Sequence, residues 1–137
     1  MELLQEVDFT STRKNARYVL KQYKRYERIA GRSLIDIRSP LVSDMPRNQP
    51  YGNRTEDAII QHAEAESERD AIIAALYALK LTSRQILYYS FCYIERMSNR
   101  AISCKMGYSE RQIERLKSEA LIEFAEAYRK GKLIKYY

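Results

Sequence analysis

Apolar side chains recur along this chain with the spacing of one face of an α-helix and nowhere with the alternation of a strand, which predicts an all-α fold. From Ser11 to Ala30 the basic positions Lys14, Arg17, Lys21, Lys24, Arg25 and Arg28 return every three or four residues. Ala16, Val19, Leu20, Tyr23, Tyr26 and Ala30 hold the other side, so the spacing predicts one basic amphipathic helix, stopped at Gly31. Residues 31–53 contain Pro40, Pro46, Pro50 and Gly52, a composition that breaks helices and ladders alike, and are expected to form a linker. Asn53, with Glu56 three positions on, is a plausible helix start. That helix should run to about Lys80, and its apolar positions Ile59, Ala63, Ile72, Ile73, Leu76 and Leu79 thicken toward the C-terminal end. Thr82 or Ser83 is the expected cap of the next helix, Arg84 to about Tyr93, which is apolar nearly all round and so reads as the central core helix.

The spacing after Met97 is more specific. Ser98 can cap a short helix through Met106, Gly107 can take the positive φ of a tight turn, and Ser109 with Gln112 fits a capping box opening a helix to about Tyr128. A short helix, a glycine turn and a second helix make a helix-turn-helix unit. Ile102, Met106, Tyr108, Ile113 and Leu116 fill its apolar positions, Ser103 the small one at the crossing, and Leu121 and Phe124 continue the stripe. Opposite them, Glu110, Arg111, Glu114, Arg115 and Ser118 could reach base edges in a major groove. Arg100, Lys105, Gln112 and Lys117 lie around the rim, where phosphate contacts fix register without reading sequence. The bland alternative is a helical hairpin with a solvated charged face. The expected organisation is a basic helical segment over 1–30, a Pro-containing linker over 31–53 and a helix-turn-helix domain over 54–137.

Charge favours the first alternative. The chain of 137 residues carries 24 Lys and Arg against 18 Asp and Glu, a net of +6 that favours an anionic partner. Residues 1–54 hold 11 basic and 6 acidic side chains, residues 55–79 only Arg69 against six carboxylates, and residues 80–137 again 12 against 6. Two basic regions thus flank an acidic one, and a long polyanion could meet both. A mean hydropathy of −0.56 and the lack of an apolar run near the roughly 20 residues of a bilayer span exclude a transmembrane protein. The acidic start Met1-Glu2-Leu3-Leu4-Gln5-Glu6 is unlike a signal peptide, and two cysteines, Cys92 and Cys104, suit a reduced cytoplasm, where both are expected as small buried residues.

Thr82-Ser83-Arg84-Gln85-Ile86-Leu87 through Ala120-Leu121 resembles the promoter-reading C-terminal domain of bacterial sigma factors, down to Ser-x-x-x-Ile-x-x-Leu-x-x-x-Ala-Leu from Ser109. Beyond it, the opening Glu-Val-Asp-Phe-x-x-Thr-Arg-Lys-Asn-Ala-Arg from Glu6 and the middle Ser-Asp-Met-Pro-Arg from Ser43 resemble the ArpU family of phage transcriptional regulators. So do Gly-Tyr-Ser-Glu-Arg from Gly107 and Glu-Ala-Leu-Ile-Glu-Phe-Ala-Glu-Ala-Tyr from Glu119, which extends the likeness over nearly the whole chain. The resemblance implies a regulator, encoded by a phage or prophage of a Gram-positive host, that activates late genes such as those for packaging and lysis. The sigma-like match implies base reading by Glu110, Arg111, Glu114 and Arg115, with Ser109 and Gln112 on the DNA backbone. Arg100-Ala101-Ile102-Ser103 departs from the acidic residue and Ile-Ala usual in such domains, so a phosphate contact by Arg100 rests on its position alone.

Competing chemistry finds little support. His62 is the sole histidine and lies in the acidic helix, so a triad, an HExxH zinc site or a recombinase pocket has no second anchor. Zinc lacks two ligands, the carboxylates Glu64, Glu66, Glu68 and Asp70 spread around one helix, and Tyr23, Tyr88, Tyr93 and Tyr108 of the 12 tyrosines suit core edges. No enzyme activity, metal or cofactor is expected. Double-stranded DNA is the expected partner, with host RNA polymerase a further one. The basic helix is expected to give a second contact to DNA or polymerase rather than to a membrane, its apolar side being modest. The operator and the oligomeric state stay open, with a homodimer among the options. Two rivals remain: a small-terminase-like packaging protein, and a polymerase-binding module with little DNA affinity.

Overall fold

The computed structural model describes residues 6–38 and 52–137, with side chains from 6–31 and 56–137. The fold is all-α. Its helices are α1 (Phe9–Lys21), α2 (Tyr23–Arg38), α3 (Gly52–Tyr77), α4 (Leu81–Leu87), α5 (Asn99–Met106) and α6 (Glu110–Ala127). A π-helical segment, Tyr88–Cys92, prolongs α4, and a 3₁₀ turn, Tyr128–Lys130, follows α6. Among the described residues the only extended pairing is a single antiparallel bridge between Val7 and Tyr136. Two compact units emerge: one joins residues 1–23 with 71–137, and the other spans 24–70.

In the first unit α6 is the element on which the others converge, with α1, α4 and α5 all packing against it. Its buried positions Ile113, Ala120, Leu121, Phe124 and Ala125 follow the three- and four-residue helical spacing. Helix α1 begins where the Asp8 carboxylate accepts from Ser11 N at 3.2 Å and from Ser11 Oγ at 2.8 Å. Those bonds favour the ionised form and hold the Asp8 carboxyl below its ordinary 3.8. Thr12, Ala16 and Leu20 then recur every fourth residue as the buried face. At its C-terminus α3 is closed by Arg84, which donates Nε to the Leu76 carbonyl at 3.3 Å and a second nitrogen to the Leu79 carbonyl at 3.3 Å.

The chain reverses after α6 through Arg129, Lys130 and Gly131, at φ 44°, 61° and 82°. The reversal carries the last described residues back onto α1. Lys135 O accepts from Asp8 N at 2.8 Å, Thr12 Oγ1 accepts from Lys135 N at 2.9 Å, Asn15 Nδ2 donates to Leu133 O at 3.0 Å and Tyr137 N donates to Glu6 O at 3.2 Å. Thr12, fully buried, is therefore satisfied by tail backbone.

The second unit comprises α2 from Lys24 and α3 as far as Asp70. Ala30 and Ala65 are buried in it, and Arg69 lies between Glu66 and Asp70 at 3.8 and 3.2 Å.

Several expectations change. The basic stretch forms two helices, broken at Gln22, whose N–H turns back to the Val19 and Leu20 carbonyls. Gly31 does not stop the second: α2 continues to Arg38, because a glycine with ordinary φ only weakens a helix. Residues 39–51, with the three prolines of the expected linker, lie outside the described residues, as do the Ser43–Arg47 motif and the Asn53 side chain. Neither Thr82 nor Ser83 caps α4, which starts after Lys80 without a side-chain cap, and Ser83 is buried instead. The expected core helix is α only to Leu87 and then widens to π, with Tyr93 N donating to Tyr88 O at 2.8 Å. Cys92 is buried as expected, but Cys104 is exposed.

Candidate nucleic-acid interface

Ser98 opens α5 by accepting from Ala101 N at 3.1 Å. Gly107 closes it at φ 80°, ψ 20°, and its N–H and that of Tyr108 both donate to the Ser103 carbonyl, at 2.9 and 3.2 Å. Two residues later Ser109 N donates to Gln112 Oε1 at 3.0 Å while Gln112 N donates to Ser109 Oγ at 3.1 Å, a reciprocal box that fixes the first turn of α6. The hinge between the two helices is thus specified by local bonds at Ser98, Gly107 and Ser109.

Packing sets the angle. Ile86 of α4, Ile102 of α5 and Ile113 of α6 are fully buried against one another, with Tyr89, Met97, Met106 and Leu116 around them. Ser103, the small residue expected at the crossing, is buried, its Oγ donating to the Arg100 carbonyl at 2.7 Å. Tyr108, expected in this core, is one-third exposed at the turn.

With Ile113 buried, the first two turns of α6 present Glu110, Arg111, Glu114 and Arg115 to solvent. Arg115 lies 4.0 Å from Glu119, an exposed pair worth little to stability and easily exchanged for another anion. Arg100 and Lys105 are exposed on α5, with the Lys105 ammonium 5.3 Å from the Tyr89 ring. Ser109 and Gln112 spend their acceptor atoms on the capping box, which leaves the Ser109 hydroxyl hydrogen and Gln112 Nε2 as donors suited to an anion.

Lys117 differs from the others. It is half-buried, donates Nζ to Asn99 Oδ1 at 3.1 Å and stands 5.3 Å over the Phe91 ring. Burial first, then the nearby charges of Arg17 and Lys21, pull its ammonium below the ordinary 10.5. Of the six cations expected on one N-terminal helix, Lys14, Arg17 and Lys21 lie exposed on α1 in the same unit as α6. Lys24, Arg25 and Arg28 belong to α2 in the second unit. The docking of α1 on α6, fastened by Thr12, Asn15 and the chain at 133–137, does not follow from spacing. The one signal for it is Thr12 itself, at the head of the i, i+4 series Ala16 and Leu20.

Elsewhere, the His62 side chain is largely buried, with Nε2 3.9 Å from Glu66 in the next turn. No group of three or more potential metal ligands occurs among the described residues. None of the described helices is long and apolar enough to cross a membrane.

Fold and site together define an all-α protein that holds a short helix and a long one at a glycine turn and presents the capped, charged start of the long helix to solvent. A protein of Enterococcus hirae named "Putative autolysin regulatory protein ArpU" is 64% identical over 136 residues, 99% of each chain. A protein of the same name from Streptococcus phage O1205 is 28% identical over 134 residues, 96% of this chain and 97% of that one. The chain belongs to the ArpU family. No family model matches it, and no solved structure does.

Proposed function

We propose that this protein is a sequence-specific double-stranded DNA-binding regulator that activates late genes of a phage or prophage, such as those for packaging and lysis, within the bacterial cytoplasm. In this reading α5, the Gly107 turn and α6 act as a sigma-like helix-turn-helix, and the start of α6 enters the major groove. The observation that carries it is the face of Glu110, Arg111, Glu114 and Arg115, exposed on a helix start that a capping box and the Ile86, Ile102 and Ile113 cluster hold rigid. A rigid helix bearing two arginines can offer bidentate donors to guanine, and the carboxylates beside them can accept from cytosine. Arg100, Lys105, Ser109, Gln112 and Lys117 would surround it with phosphate contacts. The regulatory half of the proposal draws on the relatives, both named as autolysin regulatory proteins, one of them from a phage.

A gel shift with fragments of the DNA flanking its coding sequence, at about 50 and about 200 mM salt, tests the reading. Preferential binding to one fragment, falling steeply with salt, is the expected result. No binding to any fragment, with capture of RNA polymerase instead, would support the interaction-module reading. A ring-sized assembly in sedimentation would support the packaging reading.

A further inference from the structure

Lys117 occupies a position that its residue type ordinarily avoids. The buried stripe of α6 runs through Ile113, Ala120, Leu121 and Phe124, and Lys117 falls one turn after Ile113 and one before Leu121, inside that stripe. Among the described residues the groups it touches are neutral: the Asn99 carbonyl oxygen at 3.1 Å and the Phe91 ring at 5.3 Å. A cation withdrawn from water normally has a carboxylate for company. The charges that reach Lys117 are instead two further cations, Arg17 and Lys21, which lower its proton affinity. They stand one turn apart on α1, each next to a buried residue, Ala16 or Leu20, of the face packed on α6. Of the acidic side chains on α6, Glu119 pairs with Arg115 and Glu123 with Lys80, and Glu114, one turn before Lys117, is exposed on the outward face. The resting protein therefore holds three positive groups together at the seam of two helices, a repulsion that an anion would turn into attraction.

We infer that Arg17 and Lys21 of α1 and Lys117 of α6 form one composite site for a backbone phosphate of duplex DNA, with Asn99 fixing the lysine. The inference rests on the DNA-binding reading and deepens it. Helix α1 is then part of the same grip as α6 and not a separate second contact, with Arg17 able to bind the phosphate through two nitrogens and the lysines acting as point charges. The bonds from Thr12 and Asn15 to the chain at 133–135 hold α1 in register for this task.

The test measures fluorescence anisotropy of a short duplex of random sequence titrated with the full chain, across a salt series. The variants are Arg17→Gln, Lys21→Gln, Lys117→Gln and the double variant Lys21→Gln/Lys117→Gln. Each single change should weaken binding roughly five- to tenfold at low salt and flatten the salt slope by up to about 0.9, the contribution of one phosphate. The double variant should flatten the slope by no more than about 0.9 in all, because the cations share one phosphate. Melting temperatures should be unchanged or higher, and Lys117→Arg should bind nearly as the parent does, which separates loss of charge from loss of packing. Unchanged affinity and slope for Lys21→Gln, or a double-variant slope change near twice about 0.9, would overturn the composite site even if selective binding persists. Conversely, if the variants behave as expected on random duplex but no flanking fragment is preferred, the site stands and base reading fails. A parent chain that binds no duplex overturns both.

Discussion

Replacing glycine by alanine at two positions should shift stability in opposite directions, and the signs report where helices end. Gly107 sits at φ 80°, and a Cβ placed there meets nothing within 4 Å, so the cost of Gly107→Ala is confined to the backbone. An L-residue in the left-handed region costs about 1–2 kcal/mol. Gly31 also has open space where a methyl would stand, but it lies within α2 and has no positive φ. There alanine should gain about 1 kcal/mol of helix propensity. For a chain of this length 1 kcal/mol moves the melting temperature by about 3–4 °C. Gly107→Ala should therefore melt about 3–8 °C lower and Gly31→Ala about 3 °C higher, followed by far-UV circular dichroism with hydrogen exchange of the α2 amides. A Gly31→Ala variant that loses stability as Gly107→Ala does would show that α2 ends at Gly31, as spacing alone predicts, and would refute the continuous helix.

Other outcomes follow from the same geometry. Arg111→Ala or Arg115→Ala should cost about 1–3 kcal/mol on the preferred fragment and little on random DNA; equal losses on both would remove these residues from base reading. Ile113→Ala should cost about 2–5 kcal/mol in denaturant unfolding, since its fully buried side chain joins Ile86 and Ile102. Thr12→Val should cost about 0.5–1.5 kcal/mol, because the Lys135 N–H loses its 2.9 Å acceptor in a partly buried setting, and protease should then cut the C-terminal tail sooner. The folded Asp8 carboxyl lies below its unfolded 3.8, so its contribution is complete above that value and is lost as pH falls through the folded one. Asp8→Ala should flatten the acid limb of the stability curve below about pH 4, and an unaltered limb would deny Asp8 that role.

What can be read from the sequence is what neighbouring residues decide among themselves. Ser98, Gly107 and the Ser109–Gln112 box lie within a few positions of the backbone groups they satisfy, so their spacing alone places the start and turn of α5 and α6. The Ile102 and Ile113 contact follows because the turn between them is short. Gly31 misleads for the converse reason: glycine permits a left-handed stop but does not require one. The docking of α1 on α6 is hidden because its determinants, Thr12 and Lys135, are 123 positions apart and one of them is a polar residue in an apolar register. For the same reason spacing does not reveal that Arg17 and Lys21 of α1 share a compact unit with Lys117 of α6. The π-helical widening after Leu87 leaves no mark in the apolar pattern, since Tyr88, Tyr89 and Tyr93 gather edge-to-face, with ring centroids 5.4–5.8 Å apart, in a way that periodicity does not encode.

The bridge between Val7 and Tyr136, with the bonds around it, also dictates an order of events during synthesis. Helix α1 leaves the ribosome well before α6, yet its buried face is completed by α6 and its N-terminal end by residues 133–137. It must wait, with Ala16 and Leu20 uncovered, until translation has passed Lys135. A ribosome stalled after α5 would therefore hold a nascent chain whose first helix has nowhere to dock, and a chaperone that binds apolar segments should find it there.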